Sequence, residues 1–144
     1  MTPPSSTARV LLAEDNSDHA FFTTRAFQEA HGGELDMHTV TDGEQLLSYL
    51  KQEGALRPHL VVLDLRMPKK SGLEVLAEMR QDAELRRIPV VVLSSSDRPE
   101  DVEQSYARGA NSYVTKPASL SGLREGVGQL ARYWMDIASL PAPA

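Results

Sequence analysis

A chain of 144 residues, 41% hydrophobic and 24% charged, is long enough for one domain with a proper core and short for two. It has no cysteine, which excludes disulfides, thiolate catalysis and cysteine-ligated metals, and its net charge of -5 argues against sequence-independent nucleic-acid binding. Its apolar runs span about four residues against the ~20 needed to cross a bilayer, and no leader-like stretch precedes Val10, so a cytoplasmic protein without membrane contact is expected.

Residues 1–7 (MTPPSST) offer little to bury and read as a disordered tail. The first strand-like run is 9–13 (RVLLA), closed by Glu14 and Asp15. Ala20, Thr24, Phe27 and Ala30 then recur at helical spacing. A second strand is expected over 35–41 (LDMHTVT), followed by a helix carrying Leu46, Leu47 and Leu50. The third strand, 59–63 (HLVVL), runs into Asp64, and Leu73, Leu76 and Met79 mark the next helix. The fourth, 88–93 (IPVVVL), runs into Ser94. The helix after it, from Pro99 to Arg108, has only Val102 and Tyr106 as large apolar residues, and Pro99 suits its first turn. The fifth strand, 111–115 (NSYVT), leads to Lys116 and Pro117. Leu120, Leu123, Val127, Leu130 and Trp134 make one stripe on a last helix, with Ser119 or Ser121 as its cap. Residues 138–144 read as a second disordered tail, which leaves one domain over 8–137.

Strands alternating with helices predict a doubly wound α/β fold with a parallel sheet. The runs 59–63 and 88–93 are nearly all apolar, as strands covered on both faces require. Ligands of such sheets bind outside the carboxyl ends of the strands. Glu14, Asp15, Asp64, Ser94 and Lys116 all stand at such ends, so they predict one acidic pocket rimmed by a hydroxyl and an ammonium. Crowded carboxylates favour a hard cation such as Mg2+, which leaves open positions for phosphate oxygens. Each residue also has a plainer reading. Glu14 and Asp15 suit a solvated loop or helix cap, and Asp18 is read only in that way. Asp64 suits a turn as well as a nucleophile able to form an aspartyl-phosphate. Ser94 suits a cap as well as a donor to a phosphoryl oxygen. Lys116 suits a loop as well as a partner of Asp64 at rest and of a phosphoryl group afterwards. A cis bond before Pro117 is expected to aim the lysine inward.

Over roughly 9–133 the chain resembles the receiver domain of two-component response regulators. LLAEDN (11–16), LDLRMPKKSG (63–72), VVVLSSS (90–96) and GANSYVTKP (109–117) match that family's motifs in order and spacing. The resemblance implies a flavodoxin-like (βα)5 fold with strand order 2-1-3-4-5, an arrangement for which the chemotaxis regulator is a standard example. It implies Asp64 as phosphoacceptor from a histidine kinase. It implies Mg2+ held by Glu14, Asp15, Asp64 and the backbone carbonyl of Arg66. Ser94 is the implied switch hydroxyl, Tyr113 the aromatic switch residue and Lys116 the phosphoryl-contacting lysine. Tyr113 also has the plainer reading of a half-buried strand tyrosine. Arg66 and Ser96 match positions that tune attack by water, and an arginine at the first departs from the fast-hydrolysing chemotaxis members.

With no DNA-binding or enzymatic domain after the last helix, the expectation is a non-enzymatic, stand-alone receiver that switches a contact with a downstream protein. The stretch 82–90 and the pair Tyr133-Trp134 resemble the small regulators partnered with bacterial phytochrome histidine kinases. Phe21, Phe22 and Phe27 offer a kinase-docking face or core packing. Tyr133, Trp134 and Met135 offer a homodimer contact or core packing. A nucleotide or flavin binder would want a glycine-rich loop where EDNSDHA stands. An aspartate-nucleophile phosphohydrolase would want a second aspartate where Arg66 stands. A phosphate sink without output remains the alternative to signalling.

Overall fold

The apolar runs and the helix caps between them set the architecture. A computed structural model of the chain describes residues 7–54 and 56–142. In order they form β1 (Ala8–Ala13), α1 (Ser17–Ala30), β2 (Leu35–Val40), α2 (Gly43–Lys51), β3 (Leu60–Leu63), α3 (Gly72–Gln81), β4 (Val90–Ser94), α4 (Pro99–Ala107), β5 (Ser112–Thr115) and α5 (Leu120–Arg132). A single 3-10 turn, Leu85–Arg87, precedes β4, and a π-helical turn, Tyr133–Ile137, extends α5. The strands are parallel in the order β2-β1-β3-β4-β5, the flavodoxin-like arrangement expected.

Every residue of β3 and β4 is buried, as the central strands of a sheet covered on both faces should be. Alternation along the strands divides the core in two. Leu11, Val61, Leu63 and Val92 pack with Leu46, Leu50, Leu76 and Met79 of α2 and α3. Val10, Leu12, Val62 and Val91 pack with Phe27 of α1 and Leu123, Val127 and Leu130 of α5. Helix α4 has only Ser105 fully buried and Tyr106 exposed, so it is the least anchored of the five.

Four helices start at a side-chain cap. Asn16 accepts from His19 N, Asp42 from Gln45 N, Ser71 from Glu74 N and Ser119 from Gly122 N. Ser71 and Glu74 complete a capping box. α4 has no side-chain cap and begins on Pro99, whose missing N–H is one that a first helical turn leaves unbonded.

Several local expectations are corrected. In α1 the fully buried residues are Thr23, Ala26 and Phe27; Ala20 and Ala30 pack half-buried against the same core, and of the positions read from spacing only Thr24 is not part of it. β4 starts at Val90 rather than Ile88, since Pro89 has no N–H for the ladder. Trp134 lies in the π-helical turn, half-buried against the α1–α5 core. Residues 138–142 are not a free tail: Ser139, Leu140 and Pro141 line a cavity with Arg87, Ile88 and Pro89. The other positions read as tails, 1–6 and 143–144, lie outside the described residues, and Thr7 donates to Glu34 at 2.8 Å. No helix among the described residues is long and apolar enough to cross a membrane.

Candidate functional site

A parallel sheet brings the carboxyl ends of its strands to one edge, and register decides which residues meet there. Ala13 of β1 stands opposite Leu63 of β3, so Glu14 and Asp64 leave the sheet side by side. Ser94 ends β4 opposite Thr115 of β5, so Lys116 emerges next to it, its N–H donating to Ser94 O at 2.7 Å. The five residues read as converging from sequence therefore share one edge.

Lys116 is the centre of the site. Its side chain is 2% exposed, and Nζ donates to Glu14 Oε1 at 2.5 Å and Asp64 Oδ2 at 3.1 Å. The sequence reading paired it with Asp64; the shorter contact is to Glu14. One ligand oxygen from each of Glu14, Asp15 and Asp64 can be chosen so that all lie within 4.8 Å of one another, Glu14 and Asp64 buried and Asp15 exposed. Burial pushes the Glu14 carboxyl up to about 7, the hydrogen bond from Lys116 pulls it down, and the charge of Asp64 adds to the rise. Three carboxylates facing one ammonium leave excess negative charge in a set of hard oxygen donors. That donor set fits a Mg2+ ion, which Asp15 and Asp64 would hold most directly.

The loop after β3 is built to hold Asp64. Asp64 Oδ1 accepts from Arg66 N at 3.1 Å, and Gly72 N closes the loop on Leu65 O at 2.9 Å. Gly72 is required there, since a Cβ would lie 2.6 Å from Asp64 O and 2.7 Å from Leu65 Cα. Lys69, at φ 68°, takes the left-handed turn of the loop, and its ammonium lies 3.9 Å from Asp42. The Arg66 side chain is exposed, and among the described residues it has no hydrogen-bonding or ionic partner.

Ser94 is fully buried, and its Oγ accepts from Ser96 N at 3.2 Å; no hydrogen bond joins it to Asp64. Ser96 is a junction: its Oγ donates to Asp101 Oδ2 on α4 at 2.5 Å, and its carbonyl accepts from Tyr113 OH at 2.6 Å. Tyr106 of α4 in turn accepts from the backbone N–H of Tyr113 at 3.1 Å. Tyr113 is thus half-buried and turned toward the β4–α4 loop, and α4 is held at both ends by side-chain hydrogen bonds. The expected cis bond before Pro117 is corrected: no cis peptide occurs among the described residues. A trans bond suffices because the β5 register and the two carboxylates already aim Lys116 inward.

Sequence reasoning missed three contributors. His19 Nδ1 lies 3.0 Å from Lys116 Nζ, and burial followed by the lysine's charge lowers the imidazole below its ordinary range. Its signal was there: Asn16 as cap fixes His19 as the third helical residue, one turn above the acidic pair. Asp101 and Tyr106 had no comparable mark, because their partners come from other elements.

The sequence profile of the response regulator receiver domain matches residues 10–127. The probable methanogenesis regulatory protein FilR2 of Methanothrix harundinacea is 40% identical, covering 94% of this chain and 88% of its own. Response regulator Rcp1 of Synechocystis sp. is 34% identical over 99% of both chains. The Mn2+-bound structure of Rcp1 superposes with a TM-score of 0.88, at 35% identity, covering 94% of this chain and 99% of that one. The structure of RcpA, a phosphorylated cyanobacterial phytochrome response regulator, gives 0.84 at 42% identity, covering 95% of this chain and 100% of that one.

Proposed function

The chain belongs to the response regulator receiver family, and from that premise we propose that it takes a phosphoryl group onto Asp64 and relays the event through α4. The observation that carries this reading is the bridge of Lys116 between Glu14 and Asp64 inside a three-carboxylate cluster. A carboxylate nucleophile, an ammonium to meet the incoming charge and a place for a divalent cation are what phosphoryl transfer needs, since it depends on positioning and electrostatics more than on covalent help.

Asp64 attacks phosphorus as the bond to a histidine-kinase imidazole breaks, and the ring nitrogen keeps the bonding pair. Glu14, Asp15, Asp64 and the Arg66 carbonyl would hold Mg2+, which would supply positive charge to the phosphoryl oxygens. Lys116 leaves Glu14 and turns to the new phosphoryl group. Ser94 gives up the Ser96 N–H and donates to a phosphoryl oxygen, which loosens the Ser96 junction with Asp101 and Tyr113. Helix α4, with little buried, is the element free to move. Transfer and later autodephosphorylation are self-catalysed, and Arg66 and Ser96 flank the path of attacking water. The likeness to RcpA supports a phytochrome-type histidine kinase as donor and light as stimulus. A downstream protein reads the α4 surface, and exposed Tyr133 serves a contact between two copies.

The test is phosphorylation by acetyl phosphate, with Mg2+ or EDTA, followed on a phosphate-retarding gel beside Asp64→Asn. A retarded band that needs Mg2+ and vanishes in the variant is expected. Failure with both acetyl phosphate and a phytochrome-type histidine kinase would overturn the reading.

A further inference from the structure

The amino-terminal edge of the sheet, opposite Asp64, carries a second polar cavity of about 270 Å³. It is lined by Arg80, Arg86 and Arg87, with Asn111, Trp134 and Ser139 among its other walls, and no carboxylate side chain lines it. Three arginines lining one cavity without an acid are unusual in a chain whose net charge is -5.

The arrangement is built rather than incidental. Arg80 donates to Gly109 O at 2.8 Å and lies across the face of that glycine. A Cβ on Gly109, whose φ is +108°, would sit 2.0 Å from Arg80 Nη2, so the space is kept clear for the guanidinium. Asn111 is pinned to Val90 by two bonds of 2.8 Å, its N–H donating to Val90 O and its Oδ1 accepting from Val90 N. That pinning leaves its amide Nδ2 as a free donor. Arg86 and Arg87 close the 3-10 turn just before Ile88, and among the described residues neither guanidinium has a hydrogen-bonding or ionic partner. The nearby acids are committed elsewhere: Glu84 pairs with Arg57 at 2.9 Å, and Asp82 accepts from the backbone of Glu84 and Leu85.

We propose that this cavity binds a small multivalent phosphate anion of the pyrophosphate or nucleoside-diphosphate class. The three planar guanidinium groups and the Asn111 amide supply donors to several oxygens at once, which suits a diphosphate better than a monovalent ion. The cavity volume equals that of about nine waters, enough for a diphosphate group, and a base would lie outward along Trp134. The site is separate from the phosphoacceptor pocket: it opens where β4 and β5 begin, whereas Asp64 and Lys116 stand where strands end.

Trp134 is the sole tryptophan, so its emission reports the cavity directly. The whole chain is titrated in EDTA with inorganic pyrophosphate and, separately, with ADP. EDTA keeps metal-dependent phosphate binding at the acidic pocket out of the signal. A saturable change in Trp134 emission is expected, weakening with added salt. The double variant Arg86→Gln with Arg87→Gln is expected to bind at least about tenfold more weakly, while still accepting phosphate from acetyl phosphate as wild type does. Asp64→Asn is expected to bind pyrophosphate like wild type. Tighter binding of ADP than of pyrophosphate assigns the base a contact with Trp134; equal binding assigns recognition to the diphosphate alone. No saturable change with either anion, or unchanged affinity in the arginine variant, overturns the proposal.

Discussion

Replacing Lys116 by methionine removes the charge while keeping most of the side-chain volume, and it isolates what the buried ammonium holds together. Its side chain is 2% exposed and contacts Glu14 at 2.5 Å and Asp64 at 3.1 Å, so the substitution leaves two buried carboxylates facing each other. Breaking a buried pair from one side costs about 3–5 kcal/mol. The lower end applies here, because Glu14, already pushed up to about 7, takes a proton and relieves the repulsion. A loss of about 3 kcal/mol corresponds to a fall in Tm of roughly 10 °C for a domain of this size. Urea unfolding in EDTA, followed by Trp134 emission and by circular dichroism, measures it. Adding Glu14→Gln to the variant should recover a large part of the loss, since the amide needs no counter-charge. Mg2+ sharpens the test. A cation at ten times its dissociation constant adds about 1.4 kcal/mol, and the gain should be larger in Lys116→Met, where no ammonium competes for the same oxygens. A variant within 1 kcal/mol of wild type in EDTA, or one that Mg2+ stabilises less than wild type, would refute the account.

Three further outcomes are expected. Tyr113→Phe deletes the donor to Ser96 O and should cost about 1 kcal/mol, with faster hydrogen exchange in the β4–α4 loop; unchanged exchange would mean that the hydroxyl does not hold the loop. Gly72→Ala places a methyl 2.6 Å from Asp64 O, and the overpacking should cost about 1–3 kcal/mol and slow phosphorylation by acetyl phosphate; a normal rate would show that the loop can yield without disturbing Asp64. Burial and then the charge of Arg9 lower His59 from its ordinary 6.5, and its Nδ1 accepts from Arg9 N at 3.0 Å. The unfolded chain therefore takes the proton first, so this contribution is present above pH 6.5 and is lost as pH falls below it. His59→Asn should flatten that part of the stability–pH curve, and an unchanged slope would exclude His59 as a source of it.

Much of this arrangement was legible in the sequence, for physical reasons. β3 and β4 were visible because strands covered on both faces must be apolar throughout, and five parallel strands leave few topologies. The site was visible because its residues sit one step beyond those runs, where geometry forces them together. What escaped depends on contacts between distant elements. That Lys116 sits closer to Glu14 than to Asp64 is a matter of fractions of an ångström. Asp101 and Tyr106 lie on a weakly patterned helix, and their partners Ser96 and Tyr113 come from elsewhere in the chain. Leu140 and Pro141 looked like tail because composition does not say what a proline-rich end lies against.

The bond from Tyr113 N to the Tyr106 hydroxyl has a consequence for solubility. β5 is the outermost strand, only four residues long, and its outward N–H groups are the kind that recruit a foreign strand. Tyr106 occupies one of them, so α4 shields the sheet margin from stacking against neighbouring molecules. The opposite margin, β2, is protected differently, by the polar side chains of Asp36, His38 and Thr39. Any rearrangement that carries α4 away also strips this guard, so the state that moves α4 most is the one that most needs a partner to cover the strand it leaves behind.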